Sequence, residues 1–62
     1  MDFPDAIQAV IDGQKITRAA WQNADIYIVQ TGGFLQIHQA DGSWNRLIIS
    51  DGDLYADDWI VL

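Results

Sequence analysis

The hydrophobic period of this chain changes once, near residue 13. Before it, Phe3, Ile7, Val10 and Ile11 fall at i, i+4, i+7 and i+8. That is one apolar stripe of a helix over residues 2–12. Asp2 stands where its carboxylate can cap the first amides, and Asp5 stands three residues on, where a carboxylate can reach back. Pro4 falls in the first turn, where its missing N–H has no helical partner anyway. Gly13 then ends the helix as a left-handed cap.

Beyond Gly13 the runs are short, β-branched or aromatic, and bounded by turn residues. Lys15 to Arg18 reads as a short strand, and Ala19 to Ala24 as a connection around Trp21. Asp25 to Gln30 and Phe34 to Gln39 read as strands joined by the tight turn Thr31-Gly32-Gly33. Asp41-Gly42 is a hairpin signal leading to a third long strand, Trp44 to Ser50. Asp51-Gly52-Asp53 reads as a loop, Leu54 to Ala56 as a single helical turn, and Trp59 to Leu62 as the last strand.

Register adds one inference. A two-residue loop at Asp41-Gly42 would pair Ile37 with Arg46 and turn Leu47 and Ile49 away from Leu35 and Ile37. An odd-length loop or a bulge puts Leu35, Ile37, Leu47 and Ile49 on one face, and that is the expectation. The pattern as a whole predicts an α+β fold in a single domain, 1–62. One N-terminal helix packs on a curved antiparallel sheet of four to five strands, with the C-terminal strand Trp59–Leu62.

Sixty-two residues bury only about 60% of the unfolded surface, so such a domain is marginally stable. Without a cysteine, neither a disulfide nor a thiolate metal site can compensate. Small domains of this kind gain stability by association, and a homo-oligomer, dimer or tetramer, is expected. No apolar run reaches the roughly 18 residues of a membrane span, and the N-terminal residues lack the basic and apolar regions of a signal peptide. The expectation is a soluble, cytoplasmic protein.

The net charge is −6, and all nine acids are Asp. Asp favours caps and turns, so the charge should sit on the loops of a sheet-rich fold. Three basic residues, Lys15, Arg18 and Arg46, cannot build a broad nucleic-acid footprint, which argues against direct duplex binding. An acidic surface that mimics nucleic acid stays open.

Catalytic chemistry finds little footing. His38 is the only histidine, so one chain holds neither a zinc site nor a Cys–His nucleophile; a solvent-facing strand residue is the expected role. Asp51, Gly52 and Asp53 lack the further ligands of a calcium loop. Asp57 and Asp58, as strand neighbours, would point to opposite faces and make a poor acid–base pair. Turn formation and capping account for these carboxylates. The aromatics carry more. Trp59 is the best candidate for the core. Trp21 follows Arg18 by three residues, with Gln22 and Asn23 beside it. A plate, a guanidinium and amides suit a nucleotide: stacking for a base, a cation for phosphate, amides for base or ribose edges. Packing of Trp21 over the sheet edge is an equally good reading.

Two motifs together resemble a known family. Phe3-x-x-Ala6-Ile7-x-x-Val10-x-x-Gly13-x-Lys15-Ile16-x-Arg18-x-x-Trp21 is the first. Ala40-Asp41-Gly42, Ser50 and Asp53-Leu54-x-Ala56-x-Asp58-Trp59 form the second. They are similar to those of the Thoeris anti-defence 2 family of small phage and prophage proteins. The resemblance implies a molecular sponge without chemistry or cofactor. It would work as a homo-oligomer in the bacterial cytoplasm and sequester a cyclic nucleotide-derived immune signal, such as glycocyclic ADP-ribose or a cyclic oligonucleotide. The ligand-binding candidates are then Trp21 and Trp44 for stacking, Arg18 and Arg46 for phosphate, and Asn23, Asn45 and Asp58 for hydrogen bonding. The chain departs from the family at Thr31-Gly32-Gly33, which closes a longer insertion. It also has Arg46-Leu47 where the family usually has Pro-Trp, and Gln22-Asn23 where it has Asn-Gly. The alternatives are an acidic protein that blocks a host protein by nucleic-acid mimicry, and a reduced structural oligomer module.

Overall fold

The computed structural model describes residues 1–23 and 25–62. Helix α1 spans Phe3–Ile11, and Asp2 caps it by accepting from the Asp5 amide at 3.0 Å. At its far end, Gly13 N–H donates to Val10 O and Gln14 N–H to Ala9 O, with Gly13 at φ +98°. This is the paired cap in which a left-handed residue satisfies the last carbonyls. The buried positions are Phe3, Ala6 and Val10, with Ile7 half-buried. Ile11 points to solvent, because the stripe facing the sheet runs through Ala6, whose small side chain lets the helix approach closely.

The strands are β1 (Ile16–Arg18), β2 (Tyr27–Thr31), β3 (Phe34–His38), β4 (Trp44–Arg46) and β5 (Trp59–Val61). They form one antiparallel sheet in the order β4-β3-β2-β1-β5. The architecture is the α+β fold expected from the hydrophobic pattern, with five strands. Among the described residues, no helix is long and apolar enough to cross a membrane.

The boundaries differ from the sequence reading for local reasons. β2 starts two residues late because Asn23 makes a turn: its Oδ1 accepts from Asp25 N at 2.9 Å, and its carbonyl accepts from Ile26 N. The expected connection over Ala19 to Ala24 contains a 3-10 turn at Ala19–Trp21; Ala24 lies outside the described residues. β4 stops at Arg46 instead of Ser50. Its register would set Ile48 opposite Phe34, the first residue of β3, so Ile49 has no partner left. Asp51 to Leu54 is not a loop but a short helix, α2 (Asp51–Leu54). Ser50 Oγ accepts from the Asp53 amide and caps it. Leu54, at its end, is exposed.

The hairpin register follows the expectation. Gln39 to Ser43 form a five-residue loop, and the ladder pairs His38 with Trp44 and Ile37 with Asn45. Leu47 N–H donates to Leu35 O, so Leu35, Ile37 and Leu47 share a face and pack toward the core. Ile49 falls outside this ladder.

The core is small. Phe3, Ala6 and Val10 of α1 close over Ile16, Ile28 and Trp59. Trp59 is its centre: Phe3 lies 5.5 Å from it in a tilted pair, and Trp21 lies 5.5 Å away edge-on. Its indole N–H donates to Asp53 O at 3.3 Å. A 62-residue domain has roughly 3–9 kcal/mol of stability, and a buried Trp→Ala substitution costs about 3–5 kcal/mol. We therefore expect Trp59→Ala to populate the unfolded chain at 25 °C, while Trp59→Phe retains a cooperative melt at lower temperature. Far-UV circular dichroism with thermal denaturation checks both.

Candidate functional site

The two faces of the sheet differ. One carries α1. The other is open, and the ladder fixes what stands on it. Tyr27 pairs with His38 and His38 with Trp44, so the three rings form a row across β2, β3 and β4. Tyr27 and His38 are stacked at 4.7 Å, and Trp44 meets both edge-on at 5.9 and 4.7 Å. Lys15 Nζ sits 4.8 Å from the Tyr27 ring centre, on its way into β1. Arg46 covers Phe34 at 4.6 Å on the same face. An open groove of about 690 Å³ borders this face, lined by Gly13, Gln14, Lys15, Asp25, Tyr27 and Leu62. His38 is half-buried, and its Nδ1 lies 2.6 Å from Asp25 O, so the Nδ1–H tautomer donates there. The solvent-facing reading of His38 thus becomes a residue on the open face, packed between two rings.

The predicted site residues fall into two groups. Arg18, Trp21 and Asp58 gather where β1 leaves the sheet. Arg18 is opposite Trp59, on the side that carries α1. Its Nε donates to Asp58 Oδ1 at 2.8 Å, and its NH1 donates to Asp53 Oδ1 at 2.9 Å. Asp58 Oδ2 also accepts from the Ala20 amide at 2.9 Å. The guanidinium lies over the Trp59 ring at 5.7 Å. This cluster sums to −1: one guanidinium against two carboxylates. Trp21 is half-buried against Trp59, and the Asn23 carboxamide oxygen holds its own turn. These groups primarily fasten the last strand to the first.

Trp44, Asn45 and Arg46 form the edge strand β4, three strands from β1, or about 14 Å at the usual strand spacing. Trp44 and Arg46 point to the open face, and Asn45, opposite Ile37, points to the helix side. Within one chain, Trp21 and Trp44 are therefore on different faces and cannot sandwich one ligand. Among the described residues, Arg46 makes no ion pair, whereas Arg18 makes two.

Sequence reasoning missed Tyr27 and the packed role of His38. The signal was present: a two-residue Gly32-Gly33 hairpin sets Tyr27 opposite His38. Gly32 and Gly33 do adopt φ +59° and +84°, the left-handed pair that such a hairpin requires.

The hydrogen bond from Arg18 holds the Asp58 carboxyl below its ordinary value of 3.8, helped by the Ala20 amide. A depressed folded value means that the stabilisation is complete above 3.8 and is lost as pH falls below it. Thermal melts of the native chain should therefore lose this contribution as pH falls below about 4. Asp58→Asn should melt lower at pH 7 and show a shallower acid decline.

Comparison with known proteins agrees with the motifs. No curated protein matches the chain. The sequence pattern of the Thoeris anti-defense 2-like domain matches residues 1–62. The match covers every element described, from the α1 cap to β5, and the chain belongs to the Thoeris anti-defense 2-like family.

Proposed function

We propose that this chain binds and sequesters an anionic, nucleotide-derived immune signal without altering it. The ligand class is a cyclic ADP-ribose isomer or a cyclic oligonucleotide. Family membership supplies the anti-defence role. One observation carries the binding reading: Trp44 and Arg46 stand side by side on an open aromatic face whose strands bear no carboxylate, in a chain of −6. An exposed indole stacks a base, and an unpaired guanidinium holds a phosphate in bidentate fashion.

In this reading Arg46 is the principal phosphate ligand, and Asn45, which points to the helix side, takes no part on the open face. Trp21, Asn23, Arg18 and Asp58 contribute from a second copy, because they lie on the other face of their own sheet. Arg18 is already neutralised by two carboxylates, so its part is to position Trp21 beside Asp58. The working form is a homo-oligomer.

Thermal shift against a panel of cyclic ADP-ribose isomers and cyclic oligonucleotides tests the reading. A ligand at 100 times Kd stabilises by about 2.7 kcal/mol, which is a rise of roughly 10 °C or more for a domain of this size. Arg46→Gln should weaken the response about tenfold or more in ligand concentration, the cost of one charge-assisted contact. Absence of a shift with every member of the panel would defeat the proposal.

A further inference from the structure

We propose that the groove beside Tyr27 is a binding position of its own for a ribosyl phosphate, in which the Asp25 carboxylate takes the sugar cis-diol and Lys15 takes the phosphate. The inference goes beyond the reading above, because it requires neither Trp44 nor Arg46.

The carboxylate makes the case first. Most aspartates of this chain have a structural task. Asp2 caps α1, Asp12 accepts from the Gln8 amide group, Asp41 accepts from Ser43, and Asp53 and Asp58 accept from Arg18. Asp5 and Asp51 stand in the first turns of the two helices, where the helix dipole favours them. Among the described residues, the side chains of Asp25 and Asp57 have no such task, and of these two only Asp25 lines the groove. Its backbone is held on both sides. The Asp25 N–H donates to Asn23 Oδ1 at 2.9 Å, and its carbonyl accepts from His38 Nδ1 at 2.6 Å. The main chain is thus fixed, and the carboxylate is left to the groove.

Lys15 borders the same groove. Its carbonyl accepts from the Leu62 N–H at 2.8 Å, which ties the residue to the end of β5. Its ammonium lies over the Tyr27 ring. Although Lys15 and Asp25 line one groove, they form no ion pair with each other among the described residues. The cation is held by the ring instead, and both charges stay available. A groove of about 690 Å³ that keeps a cation and a carboxylate apart suits a ligand with an anion at one end and hydroxyls at the other.

The chemistry selects the ligand class. A carboxylate accepts an O–H on each oxygen, which matches the two hydroxyls of a cis-diol, and a lysine ammonium is a point charge suited to phosphate. In a ribosyl phosphate the diol and the phosphate are at opposite ends of the sugar. The phosphate therefore meets Lys15 while staying clear of Asp25. Gln14 adds an amide group at the rim, and Leu62 adds an apolar wall. A free sugar phosphate and a mononucleotide share this chemistry. Tyr27 belongs to both the groove and the aromatic row, its ring 5.9 Å from that of Trp44, so a base carried by the sugar has a stacking surface within reach.

Amide-resolved NMR of the native chain, titrated with ribose 5-phosphate, tests the site. The amides of Gln14, Lys15 and Tyr27 should shift with a Kd on the order of 1 mM, the scale for a ligand of this size, while that of Gln8 on α1 stays still. Loss of one hydrogen bond to a charged group should make 2-deoxyribose 5-phosphate bind about tenfold more weakly. Lys15→Gln should weaken both sugars about tenfold, and Asp25→Ala should remove the difference between them. Both side chains are exposed, so the circular dichroism spectrum should be retained. Adenosine 5′-monophosphate separates the two sources. Binding about tenfold tighter than ribose 5-phosphate assigns the groove to a nucleotide, and equal binding assigns it to a free sugar phosphate; both support the site. The proposal is overturned by the absence of a saturable shift at tens of millimolar, by equal binding of the two sugars, or by a folded Lys15→Gln that binds like the native chain. It is equally overturned if the zwitterion L-alanine moves the same amides at lower concentration. Should a variant fail to fold, the native chain with the two sugars decides alone. A failed thermal shift with the cyclic panel leaves this site standing, and a failed sugar titration leaves the Trp44–Arg46 reading standing.

Discussion

The fold depends on one buried indole at the junction of the first and last strands. Trp59 is the largest side chain of a core that has six buried apolar residues among the described ones, and four separate parts of the chain close on it. Phe3 brings the helix, Trp21 the 3-10 turn, Arg18 the end of β1 and the Asp53 carbonyl the short helix α2. Burying an indole contributes about 4–6 kcal/mol by area, an upper bound because the unfolded chain is partly compact. That is comparable with the whole stability of a domain of this size. A sheet of three- and five-residue strands, with one face open, has no second source of comparable size.

This constraint explains why so many of the family's motif residues turn out to hold structure. Asp53 and Asp58 are not a catalytic pair. Both are acceptors for Arg18, and Asp58 also receives the Ala20 amide. Ser50 caps α2, and Asp41 accepts from the Ser43 amide and hydroxyl to shape the β3–β4 loop. With two carboxylates within 3 Å of Arg18, a phosphate approaching that guanidinium meets a net negative site. The cation available to an anionic ligand is therefore on the other side of the sheet, at the strand edge.

The helix, its caps, the five strand positions and the odd-length hairpin could be read from the sequence. Each is set by local chemistry: Asp2, Gly13 and Gly32-Gly33 have few alternatives. The length of β4 was misread because Leu47 to Ser50 have strong strand propensity, and only the register against Phe34 shows that the partner strand has ended. The helix at Asp51 was hidden by Gly52, although Ser50 and Asp53 carried the cap signal. The candidate site residues are legible as types, because Arg18 and Trp21 are near in sequence and Trp44 and Arg46 have the right chemistry. Which face each occupies depends on pairings across the whole sheet, and motif spacing does not carry that information.

Charge segregation ties these points together. Every aspartate lies on a helix, a loop or a strand approach, and the strands carry only Arg18 and Arg46. Arg18 is consumed by the junction that docks Trp59, which leaves Arg46, with Lys15 just ahead of β1, to set the field over the open face. The strands of the open face bear no carboxylate, and Asp25 stands at the rim of the groove beside it. The anion site proposed above rests on that segregation of charge. The aromatic row of Tyr27, His38 and Trp44 makes that face rigid, because each ring is held by its neighbour across the ladder.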